Sequence, residues 1–286
     1  MSTTQLIEVS DALGEPIELY RFNFGPGFGT VLTYTDAEFE ITHENMIWKP
    51  VAALERDAVS ASQSLDRTEV EVTVAEDSEI AELFRDYPPS DVVGLSIFRC
   101  HWDDANGRIT TPMAVWVGRV LSCSRERFVA KLRCEPAVTS LRRVGLRRHY
   151  QYMCPHALYG PACGVSRAAH TTTSTILDHD LRTITVAGHV SDQHRGGLIS
   201  WQPLGLPVER RTILTIQRTS QGQAPVSVLS LAGSPRNIND GIPVELAKGC
   251  RHTLADCRDV FNNAPAFGGM PYIPVQNPHG STRIYH

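Results

Sequence analysis

Four cysteines in two pairs constrain this chain more than any other feature. Cys154 and Cys163 close the stretch Cys154-Pro-His-Ala-Leu-Tyr-Gly-Pro-Ala-Cys163-Gly, with eight residues between them. Cys250 and Cys257 close Cys250-Arg-His-Thr-Leu-Ala-Asp-Cys257, with six between them. Two pairs set this far apart follow the logic of a four-thiolate site: each pair supplies two ligands, and the intervening fold brings them together. Thiolates are soft ligands and select zinc or an iron–sulfur cluster over hard cations. Neither spacing is the two-residue interval with which a zinc ribbon grips one ion from a tight turn. Longer intervals suit a cluster whose irons are ligated one by one. Spacing and composition leave zinc and cluster both open. The other three cysteines, Cys100, Cys123 and Cys134, sit in or beside apolar strand-like stretches and read as core filler.

Seven cysteines is an odd number, and they are not distributed like a secreted disulfide framework. The opening Met1-Ser-Thr-Thr-Gln-Leu-Ile-Glu-Val shows neither a basic region nor a long apolar run. The chain is therefore expected to fold in a reducing cytoplasm, where clustered cysteines mean metal or catalysis. No stretch approaches the ~20 apolar residues that cross a bilayer. The balance of 27 basic and 31 acidic side chains, net −4, argues against specific nucleic-acid recognition, which draws on a basic excess. With 286 residues, 42% of them apolar, one large domain or two small ones can bury a sizeable core.

Alternation of apolar and polar residues predicts a mainly β chain. Strands are expected at 17–24, 39–43, 70–74, 95–102, 113–120 and 128–134, with a hairpin signal at Asn106-Gly107. A short helix capped by Ser78 or Asp77 carries Ile80, Leu83 and Phe84 at helical spacing and ends at Pro88-Pro89. A second helix is expected from Pro136 to Val144. Beyond it, strands are expected at 183–187, 211–216 and 226–231, and a helix capped by Thr253 over 253–261. The tail from Ala264 onward, rich in Gly and Pro, reads as irregular. The texture changes near residue 145, which suggests two domains, 1–145 and 146–286.

The two cysteine motifs, followed by Phe261-Asn-Asn and Phe267-Gly-Gly-Met-Pro, resemble the C-terminal region of the minor tail protein L family of lambda-like siphophages. They are also similar to hub proteins of gene transfer agents and Pseudomonas siphophages. The resemblance is specific over Gln151–Pro274 and general over 1–150. It implies an N-terminal hub-type β-barrel domain and a small β-rich cysteine-cluster domain. In that family Cys154, Cys163, Cys250 and Cys257 would ligate a structural 4Fe–4S cluster, with zinc as the alternative. It further implies a virion tail-tip (baseplate) hub subunit made in the host bacterial cytoplasm. Such a subunit forms a homotrimer ring and contacts the distal tail protein, the central fibre or tip attachment protein, and the tape-measure protein. No membrane segment and no catalytic residue are implied.

His156 and His252 stand beside the cysteines and raise the alternative of a tail-associated cysteine hydrolase acting on the cell wall. A nucleophilic cysteine usually stands alone, so matched pairs fit ligation better. The two histidines then read as donors to sulfur or as solvated residues. The basic run Arg142, Arg143, Arg147 and Arg148 before His149 reads as a solvated helix face, with a contact to a neighbouring subunit, or to DNA or tape-measure protein in the tail lumen, as the functional alternative. Trp48, Trp102, Trp116 and Trp201 read as core or interface anchors.

Overall fold

The computed structural model describes residues 16–59, 69–85, 87–103, 107–142, 145, 149–203, 207–221 and 224–273. The chain forms two compact units: residues 1–143 with 206–208, and residues 144–205 with 209–286. The expectation of a mainly β chain with a β-rich N-terminal domain followed by a β-rich C-terminal one holds. The barrel expected in the first domain, however, lies in the second, because the strands of the first pair into a sheet that ends at Ile41–His43 and Glu55–Arg56.

In the first unit the strands are β1 (Pro16–Phe24), β2 (Thr30–Thr35), β3 (Ile41–His43), β4 (Met46–Pro50), β5 (Glu55–Arg56) and β6 (Val70–Ala75). They continue with β7 (Val93–Asp103), β8 (Arg108–Ile109), β9 (Met113–Glu126) and β10 (Val129–Pro136). They join one ten-stranded sheet in the order β3-β4-β2-β1-β7-β9-β10-β6-β5, with β8 paired to β7. All pairs are antiparallel except β2 with β4. Alternation explains the burial: Val70, Val72 and Val74 are 1% exposed or less while Glu71 faces solvent. Each buried valine of this kind stabilises by about 1.5–3 kcal/mol. On β10, Ala130, Leu132 and Cys134 point into the same core as Phe22, Leu95 and Ile97.

The Ser78 cap holds. Its hydroxyl accepts from the Ala81 amide at 3.4 Å and starts α1 (Glu79–Leu83). The helix expected from Pro136 is instead a 3-10 turn over Ala137–Arg142. Arg143, Arg147, Arg148 and Asn106 lie outside the described residues. Trp48, Trp116 and Trp201 are buried, as anchors would be. The first unit holds a partly buried ion cluster. The Glu18 carboxylate accepts from Tyr20 Oη at 2.8 Å, from Arg99 at 2.9 Å and from Arg56 Nε at 2.7 Å. Burial pushes its pKa up, but the hydrogen bonds from Arg56, Arg99 and Tyr20 outweigh that and lower it overall.

The second unit is a closed six-stranded barrel. Its strands are β11 (Thr171–His179), β12 (Thr183–Ala187), β13 (Leu198–Trp201), β14 (Glu209–Gln221), β15 (Ala224–Leu231) and β16 (Pro243–Ala247), and they close in the order β11-β12-β15-β14-β13-β16. Closure leaves no unpaired edge, and Ile176, Ile184, Ile199, Trp201, Ile213 and Leu229 fill the interior. The helix α2 (Leu254–Asp259) follows, capped by Thr253, whose hydroxyl accepts from the Asp256 amide at 3.2 Å. Past it, the described part of the segment expected to be irregular holds one 3-10 turn, Ala264–Ala266.

Candidate functional site

Barrel closure explains how cysteines so far apart in sequence meet. β11 and β16 pair antiparallel, with Thr171 opposite Ala247. The start of β11 and the end of β16 therefore lie at the same end of the barrel. Cys163 lies eight residues before Thr171, and Cys250 three residues after Ala247, so both pairs emerge there. Lys248 N–H donates to the His170 carbonyl at 3.0 Å, and Tyr159 Oη donates to the Lys248 carbonyl at 2.7 Å. These bonds carry the pairing past the last strand residue. Below them Phe261, 7% exposed, packs edge-on against Tyr159 and His170 at 6.3 and 5.0 Å between ring centres.

Direct bonds then tie the two cysteine segments together. The Cys154 amide donates to the His252 carbonyl at 2.9 Å. Asn263 reaches both pairs: its Nδ2 donates to the Cys163 carbonyl at 2.7 Å and its amide to the Cys257 carbonyl at 2.8 Å. The Cys257 thiol donates to the Asn263 carbonyl at 3.1 Å. Backbone amides also point at sulfur. His252 N–H donates to Cys250 Sγ at 3.2 Å, and Gly268 N–H to Cys154 Sγ at 3.4 Å.

Electrostatics records the same convergence. Burial pushes the Cys257 thiol up, and the charges of Cys154, Cys163 and Cys250 push it further. Burial likewise raises Cys250, with added repulsion from Asp256, Cys154 and Cys163, while the His252 amide pulls the other way. Cys250 and Cys257 thus each feel the charges of other site cysteines. Among the described residues, however, no three His, Cys, Asp or Glu side chains are gathered so as to hold a metal ion. Cys154, Cys163 and Cys250 are half-buried and Cys257 is buried.

The loop bearing Cys250 is fixed on both sides. Asp256, 5% exposed, accepts from the Arg251 amide at 2.8 Å and from its guanidinium, and this pairing lowers its pKa. On the other side the Gly249 amide donates to the Gln193 carbonyl at 2.8 Å. A Cβ at Gly249 would lie 2.1 Å from the Arg195 carbonyl, so only glycine permits this crossing. Gly268 is held in the same way: a Cβ there would lie 2.5 Å from the His156 ring.

Residues 19–166 match the family described as "Baseplate hub protein, N-terminal attachment domain". The chain belongs to this baseplate hub family. As a baseplate hub protein it is a component of the virion tail. Residues 194–277 match a second family, described as "Phage conserved hypothetical protein BR0599", which spans the Cys250–Cys257 motif. Among solved structures, a chain of the "Virion of native gene transfer agent (GTA) particle" is similar over 100% of this chain and 97% of that one. The TM-score is 0.76 at 15% identity, a likeness of fold. No curated protein matches the chain. No helix among the described residues is long and apolar enough to cross a membrane.

In this hub protein all four sequence-selected cysteines fall in one neighbourhood of the second unit, and the other three do not. Cys100 and Cys134 are fully buried in strands, and burial pushes each thiol up to about 12. Cys123 packs against the first core. His252 contributes its backbone to the site, donating to Cys250 Sγ and accepting from Cys154. The His156 ring packs on Gly268, and its Nδ1 is buried without a partner among the described residues. Sequence reasoning gave no role to Asn263, Tyr159, Asp256 or Gly249. The signal for Asp256 was present, since an acidic residue three positions after Thr253 marks the first turn of a capped helix.

Proposed function

We propose that this chain is a structural, non-enzymatic subunit of a phage-type tail tip that joins the tail tube to the tip or central fibre. In this reading Cys154, Cys163, Cys250 and Cys257 together hold a structural 4Fe–4S cluster. The observation that carries the reading is the convergence of four thiols at one end of a closed barrel, in a chain of the baseplate hub family.

The donor set fits such a group. Two of the four sulfurs receive backbone N–H donors, which favour the thiolate form. The thiols also repel one another when ionised, and a bound cation relieves that cost. Around one tetrahedral zinc the sulfurs would approach to about 3.8 Å of each other. The eight- and six-residue intervals within the two pairs suit a group that takes one thiolate per iron. When bound, the cluster supplies iron–thiolate cross-links between two segments about ninety residues apart, with no open coordination position for a substrate. Asn263, Asp256 and the backbone at Gly249 and Gly268 then hold those segments in place. The hydrolase alternative lacks the same support, because the donors to sulfur are backbone amides and not imidazole nitrogens.

A hub subunit must bury much of its surface against copies of itself and other tail proteins. A homotrimer ring contacting the distal tail protein, the central fibre or tip attachment protein and the tape-measure protein suits that demand. Complementation tests the reading. Particles lacking the protein should be rescued by the wild-type chain and not by Cys154→Ser or Cys257→Ser, and purified protein should not degrade cell wall. Full rescue by both variants would refute the structural-cluster reading.

A further inference from the structure

Three tyrosines and two methionines of the second unit are exposed in two adjoining segments: Tyr150 (86%), Tyr152, Met153, Met270 and Tyr272 (91%). The segments are far apart in sequence and are held together by backbone. The Met270 amide donates to the Gln151 carbonyl at 2.8 Å, and the Gly268 amide to Cys154 Sγ at 3.4 Å. A Cβ at Gly269 would lie 2.6 Å from the Tyr152 carbonyl, so glycine lets one segment lie close against the other. Within the first segment, Gln151 Nε2 donates to the Met153 carbonyl at 3.0 Å.

The composition is that of an interface core. No residue of 150–153 or 264–273 is Asp, Glu, Lys or Arg, in a chain where 20% are. Tyr and Met are enriched, and charges depleted, where proteins meet. Scattered exposed apolar residues need no explanation, but a contiguous patch does. These five side chains expose on the order of 700 Å², close to the ~800 Å² that each partner gives a standard stable interface.

The rim indicates which partner fits. Arg258 and Asp259 are both exposed and paired at 2.7 Å, and Arg258 lies within electrostatic reach of Tyr272. A rim that offers both signs side by side complements a second rim of the same kind, with Arg258 of one copy facing Asp259 of the next. A partner of one predominant charge would meet repulsion there as well as attraction.

We propose that this Tyr–Met patch is the surface through which the second unit docks onto a second copy of the chain. Tyr150 and Tyr272, the most exposed rings, are its anchors. The inference rests on the reading of the chain as a self-associating ring subunit, and adds the surface and the residues that make the contact.

Light scattering on purified full-length protein tests it, because only copies of the chain are then present. The wild-type protein should associate. Tyr150→Asp and Tyr272→Asp should each weaken association at least about tenfold while keeping the wild-type unfolding temperature, since neither ring packs in a core. Tyr272→Ser, which adds no charge, should weaken it in the same direction. Phe128→Asp is the control: that ring is also 86% exposed but lies on the first unit, so association should be unchanged. An associated wild type that the tyrosine variants leave intact would overturn the surface and leave the ring reading standing. A monomeric wild type would overturn both. Variants that associate normally yet fail to enter particles would assign the patch to another tail protein, and that too overturns the proposal.

Discussion

The two units use the same residue in opposite ways. In the first, Cys100 and Cys134 lie within strands, each thiol donating to a nearby carbonyl, Ile17 at 3.6 Å and Leu132 at 3.5 Å. Nothing there lowers the cost of ionisation, and each sulfur serves as a small apolar side chain. In the second, all four cysteines lie in loops or on a short helix past the barrel end. Two of their sulfurs receive amide donors, and their charges reach one another. A cysteine's role is thus set by where the backbone leaves it. A strand interior buries it alone, while the converging ends of β11 and β16 gather four.

The sharpest break between the two sets is ligand replacement. Serine at Cys154, Cys163, Cys250 or Cys257 offers a poor hydroxyl ligand, so each variant should lose bound metal and lower the unfolding temperature of the second unit by ten degrees or more. Cys134→Ser should keep full metal content and cost only about 1–3 kcal/mol for a hydroxyl buried in an apolar core. Cys123→Ser should keep both metal and assembly. Metal analysis with thermal unfolding reads all three, and equal damage from Cys123→Ser would show that the ligand set is wrong.

A smaller effect is expected from the backbone crossing. Gly249→Ala puts a methyl group against the Arg195 carbonyl. It should destabilise the second unit by about 3 kcal/mol and displace Cys250. Denaturant unfolding with metal content checks it. An unchanged midpoint would mean the crossing relaxes freely. Next comes Asp256→Asn, which keeps the shape but removes the charge facing Arg251. It should cost about 2 kcal/mol, because the carboxylate is buried and doubly bonded. A double-mutant cycle with Arg251→Gln would isolate the pair.

The smallest effect is on pH dependence. Burial lowers the pKa of His194 below its ordinary value of 6.5. Above 6.5 both folded and unfolded chains hold it neutral. As pH falls beneath 6.5 the unfolded chain takes up the proton first, so stability of the second unit declines until the lowered folded pKa is passed. Unfolding temperatures at pH 7.5 and 5.5 should differ by a few degrees, and His194→Gln should shrink the difference. The first unit offers the contrast. Its Glu18 is depressed, so that contribution stays full through this window and is lost only under stronger acid.

Much of the fold was legible because alternation survives wherever one face of a strand is buried. β6 reads Val-Glu-Val-Thr-Val, and its burial follows that pattern. β11, which opens Thr-Thr-Thr-Ser-Thr, and the four-residue β13 carry too little contrast to announce themselves, yet both are needed to close the barrel. Strand β2 was missed for a similar reason, since Thr-Val-Leu-Thr-Tyr-Thr has no clean period. At the site, the four cysteines were visible from spacing. His252 was visible beside them as a donor to sulfur, a role its backbone amide fills, whereas Asn263 and Gly249 were not, because their contacts are to residues far away in sequence.

The central claim is that four thiolates in the second unit share one iron–sulfur cluster while those of the first unit stay free. Iron, sulfide and zinc content, measured with the visible absorption of anaerobically purified full-length protein, tests it most directly. The account predicts a brown protein with about four iron and four sulfide per chain and broad thiolate-to-iron absorption near ~400 nm, all lost in Cys257→Ser. A colourless protein carrying one zinc per chain, or none, would contradict it.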